Sequence, residues 1–518
     1  MWARADERAE LAFQDGKPLR PTGIAAKLLD RVKRFKTHIL VALCVLLTCV
    51  LLFDRSKSLS SSGSTSALAS YSPYAPPVSS SSLGGVFRRP EDDILLITKV
   101  GASTVHKRLM IHLAEQPLSN LYIPNKFYVS DWPVKLGPIE FYDALANVSD
   151  TVKELDEFKH LRHEMSALLQ SNQDLDDMSE KDGGWKLDKY KFLPMMGEAY
   201  RRFPNVKWYV MVEADTFLFW NQLVKWLATL NENKQLLIGH PSFCDYDGKS
   251  TMFTHGGSGI VMSKGLIEAT YGQDPEYEHN HDELIKKSAF GDALLSKSFY
   301  DAPKVHLTEL SKEGGEKFNS DPPRILKFLR SNWCTPIMTF HHVTPADTAH
   351  LYEFQRRIEP RLGAKDMIKW ADVWDEFQPE FLRKAMIEVA NAKEDPTTFQ
   401  HDDPNVEPGE VGVVAWQAIE DWDSETSDTH TATAKECQTV CRSHDDCLMW
   451  SWDPESDKDK DKDRNRDRGL CRWTSEFLRI GVTKPSKTKL TTGWMAKRIN
   501  HWRSSFGCSG HSGIDGDF

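Results

Sequence analysis

The run Lys207-Trp208-Tyr209-Val210-Met211-Val212 stops at Glu213-Ala214-Asp215, and this junction limits the fold more than any other stretch. A short strand this apolar is one buried on both faces, as in a parallel sheet covered by helices. Trp220, Leu223, Val224, Leu227 and Leu230 follow at spacings of three and four, which predicts a helix with one apolar face. In open α/β sheets ligands lie beyond the carboxyl ends of the strands, so the two acids stand where a ligand would be. Carboxylates so placed suit Mg²⁺ or Mn²⁺, which bind through one or two of them together with substrate phosphates. The plain alternative is a solvated strand end with two stray acids.

Neighbouring segments extend the pattern. Asp93 to Gly101 reads as a buried strand, Val105 to Leu113 as a helix and Lys126 to Asp131 as a second strand. Strand–helix–strand alternation predicts an α/β fold with a parallel sheet. Leu155 to Leu169 predicts an amphipathic helix, and Trp185 to Phe203 another, with a kink or late start at Pro194. Ile260 to Met262 and Ile337 to Phe340 read as short later strands.

The chain has 518 residues, room for about three domains. A net charge of −10 argues against a nucleic-acid partner, which requires a basic face. Ile39 to Phe53 carries no charge, with Lys27, Arg31, Lys33, Arg34 and Lys36 before it and only Arg55 and Lys57 close behind. Its length fits a signal-peptide core or a short membrane span; its distance from Met1 favours the span. The positive-inside rule then predicts a cytosolic tail over 1–37, a single transmembrane anchor over 38–54 and a luminal remainder. Ser, Gly and Pro dominate 55–90, a flexible stem. So short a span suits the endoplasmic reticulum or Golgi, giving a single-pass type II protein.

Residues 393–410 read as an acidic, Pro-containing linker, ahead of a cysteine-rich module over 411–503 and a tail over 504–518. Cys437, Cys441, Cys447 and Cys471 imply disulfides and an oxidising compartment. Zinc is the competing reading, but no second pair has the usual spacing. Trp416, Trp450, Trp452, Trp473 and Trp494 supply bulk to a core too small to stand without bridges. Asp457 to Arg468 alternates acid and base, as a solvated loop does. Cys244 and Cys334 form a candidate pair, and Cys508 is left over for pairing between chains, which admits a homo-oligomer.

Five motifs now fall in order: Gly183-Gly184-Trp185-Lys186-Leu187-Asp188-Lys189, Glu213-Ala214-Asp215-Thr216-Phe217, Phe253 to Ser263 around Gly256-Gly257-Ser258-Gly259, Gly291-Asp292-Ala293, and Phe340-His341-His342. From about Asp92 to Arg357 the chain resembles glycosyltransferase family 31, in the branch of the core 1 β-1,3-galactosyltransferases and their fungal relatives. The resemblance implies a GT-A type nucleotide-sugar-binding domain, here spanning 91–392. It sets the donor's uridine over the first strand ends, near Asp131, and offers Lys189 to the diphosphate. Asp215 becomes the direct metal ligand, with Glu213 assisting through metal, water or ribose. Glu213 departs from the commoner Asp-x-Asp form and reaches one methylene further. The Phe-His motif makes His341 a further ligand, with His342 as the register alternative, and imidazole favours Mn²⁺ over Mg²⁺.

Asp292 aligns with the family's acidic residue near the acceptor, a candidate general base, although Asp there also suits a helix N-cap. Gly291 stands where many relatives have Glu. Gly256 and Gly257 would lie beneath the donor sugar or acceptor, and Trp333 would pack on the acceptor. The module near the end resembles a PAN/Apple domain, which implies Cys437–Cys471 and Cys441–Cys447 bridges in a small α+β fold. Asn147-Val148-Ser149 is an N-glycosylation sequon. The expected function is inverting transfer of a hexose, by resemblance galactose from UDP-galactose, to a glycan or glycoprotein acceptor in β-1,3 linkage. Transfer of another sugar such as N-acetylglucosamine, or an inactive carbohydrate-binding fold, are the alternatives.

Overall fold

The computed structural model describes residues 88–109, 123–179, 183–307, 314–391, 410–455, 468–482 and 489–508. The expected cytosolic tail and anchor lie outside the described residues, as do nearly all of the stem, the linker and the Asp457–Arg468 loop. Among the described residues no helix is long and apolar enough to cross a membrane.

The strands up to residue 340 are β1 Ile94–Lys99, β2 Asn125–Ser130, β3 Val134–Leu136, β4 Ile139–Asp143, β5 Trp208–Glu213, β6 Phe217–Leu218, β7 Leu237–Ile238, β8 Pro241–Tyr246, β9 Lys249–Thr254, β10 Ile260–Ser263, β11 Phe328–Leu329 and β12 Thr339–Phe340. Seven of them form one sheet in the order β3-β4-β2-β1-β5-β10-β7. β4, β2, β1 and β5 run parallel; β10 is antiparallel to β5. The α/β class expected from the strand–helix alternation is therefore the class observed.

Alternation along the central strands divides their side chains between two apolar layers. Leu95, Ile97, Tyr209 and Met211 pack with the helices Asp156–Gln170, Phe192–Arg202 and Gly291–Asp301. Ile94, Leu96, Trp208, Val210 and Val212 pack with the helix Trp220–Leu227. Two predicted helices differ in detail. The expected Val105–Leu113 helix is a 3₁₀ turn at Ala102–Thr104 followed by a π turn at Val105–Leu109, and positions from 110 lie outside the described residues. The Trp185–Phe203 segment splits into Gly183–Lys186, a 3₁₀ turn at Asp188–Lys191 and Phe192–Arg202, which starts late enough to put Pro194 in its first turn.

Past residue 409 come β13 Glu410–Val414, β14 Ser427–Thr431, β15 Met449–Asp453, β16 Gly469–Thr474, β17 Phe477–Leu478 and β18 Thr491–Met495. Five of these make an antiparallel sheet, β13-β18-β15-β16-β14. The helix Ala434–Ser443 packs on β15, with Cys437 bonded to Cys471 and Cys441 to Cys447. Trp450 and Trp494 are buried, as expected of core aromatics.

This module shares its core with the chain before it. β17 pairs with β11, and Phe477, Trp494 and Trp502 join one cluster with Phe217, Phe340 and Trp374. The suggested Cys244–Cys334 bond is wrong, and so is the inter-chain role for Cys508: Cys334 bonds Cys508 and Cys244 is free. Cys244 sits on β8 beside Ala293, in a different apolar cluster from the turn that carries Cys334. The chain at 504–508 is no loose tail, because Phe506 packs on Trp333 at 5.7 Å between ring centroids. Trp333 is 1% exposed, a core residue with no surface to offer an acceptor.

Replacing Cys334 and Cys508 together by Ser should lower stability by about 2–4 kcal/mol, the usual range for a native bridge. Urea unfolding of the oxidised protein would read this as an earlier midpoint. An unchanged midpoint would mean that the shared apolar core holds the module unaided.

Candidate active site

β1 and β5 are paired so that Lys99 lies opposite Glu213, and β2 ends at Ser130, just before Asp131. Three carboxyl-terminal strand ends thus come together with charged residues at their tips. The 3₁₀ turn at Asp188–Lys191 completes the set, because residues three apart eclipse in such a turn and both face inward. The result is a chain of alternating charge. Glu213 Oε1 lies 3.1 Å from Lys99 Nζ, which lies 2.7 Å from Asp188. Asp188 is 2.8 Å from Lys191 Nζ, which is 3.1 Å from Asp131 Oδ2. Burial opposes the charge on Lys99, but Asp188 and Glu213 outweigh it and raise its pKa. Above this chain opens a cleft of about 580 Å³, counted out to its mouth, lined by Lys99, Gly101, Arg108, Trp185, Lys191 and Glu213 among others.

The second half of the site comes from β6 and β12. They pair antiparallel with Phe340 opposite Phe217, and the Val343 N–H donates to the Asp215 carbonyl at 3.3 Å. His341 and His342 are thereby laid alongside Asp215. Adjacent residues of an ordinary strand point to opposite faces, so only one imidazole could reach the carboxylate. His342 has φ +54, a left-handed conformation uncommon outside glycine. That turn brings both rings to one side, stacked at 3.8 Å. His341 Nε2 is 3.4 Å from Asp215 Oδ1, and His342 Nδ1 is 3.7 Å from Oδ2.

One ligand atom from each of Asp215, His341 and His342 lies within 4.8 Å of the others. Asp215 Oδ1 and both His341 ring nitrogens are buried and make no hydrogen bond. Buried polar atoms without partners are costly, and a cation among them would satisfy all three residues, so the donor set fits a divalent ion. Burial alone would raise the Asp215 pKa, but His341, His342 and Arg108 hold it well below the carboxylate range. Burial likewise works against a charged His341, yet Asp215 and Glu213 raise its pKa to about 9.

The glycine loop closes the third side. A Cβ on Gly257 would lie 2.0 Å from the His341 ring, so only glycine lets the imidazole rest on the backbone. A Cβ on Gly256 would stand 3.3 Å from both Asp292 and Glu213. Gly259 has φ +90, and Thr216 and Thr339 hydroxyls donate to the carbonyls of Gly257 and Ser258 at 2.8 and 2.6 Å. Asp292 is the second residue of its helix, so it is not the N-cap; Phe290 is. Its carboxylate accepts from the Gly256 N–H at 2.7 Å and the Ala293 N–H at 2.8 Å. Burial pushes its pKa up to about 6 despite those two donors.

Several expected residues sit elsewhere. Lys189 points away from the cleft, its ammonium 3.5 Å from Glu157, because the 3₁₀ turn aims residues 188 and 191 inward and 189 outward. Lys191 occupies the position expected of Lys189. Asp131 is 1% exposed and binds the Ala102 N–H and Lys191, so it braces the strand ends and does not line the cleft. Glu213 stands beside the ligand cluster but outside it, with one oxygen held by Lys99 and the other 3.6 Å from His341 Nε2. Asn147 is exposed, and its amide donates to the Tyr142 hydroxyl at 2.8 Å. Sequence reasoning missed Lys99, Lys191 and Arg108. Lys99 left a signal, a lone cation at the end of an apolar strand; Arg108, 3.2 Å from Asp215 Oδ2, left none.

Residues 168–289 match the Fringe-like family model, a stretch holding the Glu213–Asp215 strand end and the Gly256–Gly259 loop. That match supports a glycosyltransferase, with the nucleotide-sugar donor and glycan acceptor that such an enzyme implies. No curated protein matches the sequence. Among solved structures, a glycosyltransferase involved in glycosylation of the major capsid of PBCV-1 is 11% identical with a TM-score of 0.23, covering 50% of this chain and 98% of its own. TarS of S. aureus is 10% identical with a TM-score of 0.22, over 80% and 74%. Similarity at that level carries no argument about this chain.

Two outcomes follow from the geometry. Gly257→Ala should displace His341 and lower Mn²⁺ affinity by about 10–100-fold, the scale of losing a group that supports a metal ligand; unchanged affinity would remove His341 from the site. Because His341 holds its proton up to about pH 9 in the metal-free protein, a bound cation must displace it. Affinity for Mn²⁺ should therefore rise as pH approaches 9. Calorimetry in buffers of different ionisation enthalpy should show about one proton released per ion; none released would contradict the ligand set.

Proposed function

We propose that the chain is a metal-dependent inverting glycosyltransferase that moves a hexose from a UDP-sugar to a glycan or glycoprotein hydroxyl. The observation that carries this is the meeting, at the edge of a cleft floored by Lys99 and Lys191, of His342 with Asp215 and His341 atoms that make no hydrogen bond. Asp215, His341 and His342 would hold the cation, with Glu213 behind them. Bound there, Mn²⁺ or a like ion would supply Lewis-acid neutralisation of the departing diphosphate. Arg108 lies beside Asp215 and lines the same cleft, placed to share that negative charge.

Asp292 is the base. It takes the acceptor's hydroxyl proton as that oxygen bonds to the anomeric carbon and the bond from that carbon to the diphosphate breaks. One displacement inverts the centre, so an α-linked donor gives a β-linked product. A pKa near 6 leaves Asp292 ionised at neutral pH yet basic enough to accept a proton. Galactose as the sugar, the β-1,3 linkage, a type II anchor in the Golgi or endoplasmic reticulum and a PAN/Apple-like module rest on the sequence resemblances and the charge pattern of the N-terminus. The module would then influence acceptor choice.

A donor screen with linkage analysis of the product tests the reading; no metal-dependent turnover of any UDP-sugar would defeat it. For the base, kcat/KM should fall as pH drops through about 6, since protonation disables Asp292. Asp292→Asn should lower kcat by about 10²–10⁴-fold and abolish that acidic limb. An intact limb would assign the proton transfer to another group.

A further inference from the structure

We propose that Trp185 and Phe290 form the platform on which the acceptor's sugar ring rests. Most large aromatics among the described residues are buried, but Trp185 is 61% exposed and Phe290 42% exposed. They are far apart in sequence and meet edge to face at 6.0 Å between centroids. An exposed aromatic pair costs free energy unless a ligand covers it.

Their position fixes which ligand that is. Trp185 lines the cleft and lies three residues before Asp188, which opens the turn carrying Lys191. Phe290 does not line the cleft; it caps the helix whose second residue is Asp292. Gly291 locks these two supports together. A Cβ there would fall 2.2 Å from the Phe192 ring and 2.8 Å from the Lys189 Cα, so the Phe290–Asp292 corner presses directly on the turn. The aromatic pair therefore stands between the rim of the donor cleft and the start of the helix that carries Asp292. A sugar laid on it would lie beside the helix end that carries Asp292.

A pyranose ring suits such a surface, with an apolar C–H face to lay on the rings and a rim of hydroxyls, one of which reaches the carboxylate. The nucleobase of the donor is the other flat ligand available. It would need Trp185 but would leave Phe290 unused, because Phe290 lies outside the cleft. The pair as a unit favours the acceptor.

The inference rests on the glycosyltransferase reading, and two readouts keep the failures apart. Metal-dependent hydrolysis of the UDP-sugar without acceptor reports the donor side alone; its absence in the unaltered protein would defeat the parent reading. With the donor side working, Trp185→Ala and Phe290→Ala should each raise the acceptor KM about tenfold. Phe290→Ala, outside the cleft, should leave UDP affinity and acceptor-free hydrolysis within about twofold, and Trp185→Phe should reverse most of the rise in acceptor KM caused by Trp185→Ala. Both side chains are exposed, so folding should survive, as circular dichroism would check. An unchanged acceptor KM overturns the proposal. So does a parallel loss of UDP affinity in Phe290→Ala, which would assign the platform to the nucleobase.

Discussion

A buried chain of alternating charge holds the strand ends in register: Glu213, Lys99, Asp188, Lys191 and Asp131. Lys99 and Lys191 are almost fully enclosed, and each is tolerable only because it lies between two carboxylates. Taking one partner from a buried pair leaves an uncompensated charge, which costs about 3–5 kcal/mol. The members come from three strands and one turn, so none can shift without the others. This coupling gives the floor of the cleft a fixed shape and a fixed pattern of charge.

Upon that floor the ligand corner is built by a different device. Asp215 is delivered by the sheet, but the two histidines arrive on a two-residue strand pairing that would be too short to persist alone. Its permanence comes from Phe217, Phe219 and Phe340, which sit in the same apolar cluster as Trp494 and Trp502 of the cysteine-rich module. The module is thus part of the scaffold of the site, whatever else it binds. The left-handed turn at His342 is the kind of local strain that persists where surrounding packing fixes it, and here it brings a second imidazole to the carboxylate.

Much of the fold was legible in the sequence because the central strands are unambiguous. Trp208–Glu213 and Ile94–Lys99 fall within a residue or two of the expected strands, since an apolar run bounded by charge has few other ways to pack. The carboxylate pair was legible from the same strand pattern, whereas His341 was placed by the family resemblance and not by any local pattern. What the sequence could not disclose depended on direction. Lys189 and Lys191 are two residues apart and equally basic, and only the 3₁₀ geometry of the turn decides which faces the cleft. Cys334 and Cys508 lie 174 residues apart, and nothing local to either indicates the other. Asp131 carried the right charge at the right strand end, yet three-dimensional packing made it a brace.

The most direct test of the account is anomalous diffraction from crystals grown with Mn²⁺ and UDP. The account predicts one manganese peak bonded to Asp215, His341 and His342, with the diphosphate toward Arg108. A peak coordinated by other residues, or UDP bound in the cleft with no metal at Asp215, would contradict it.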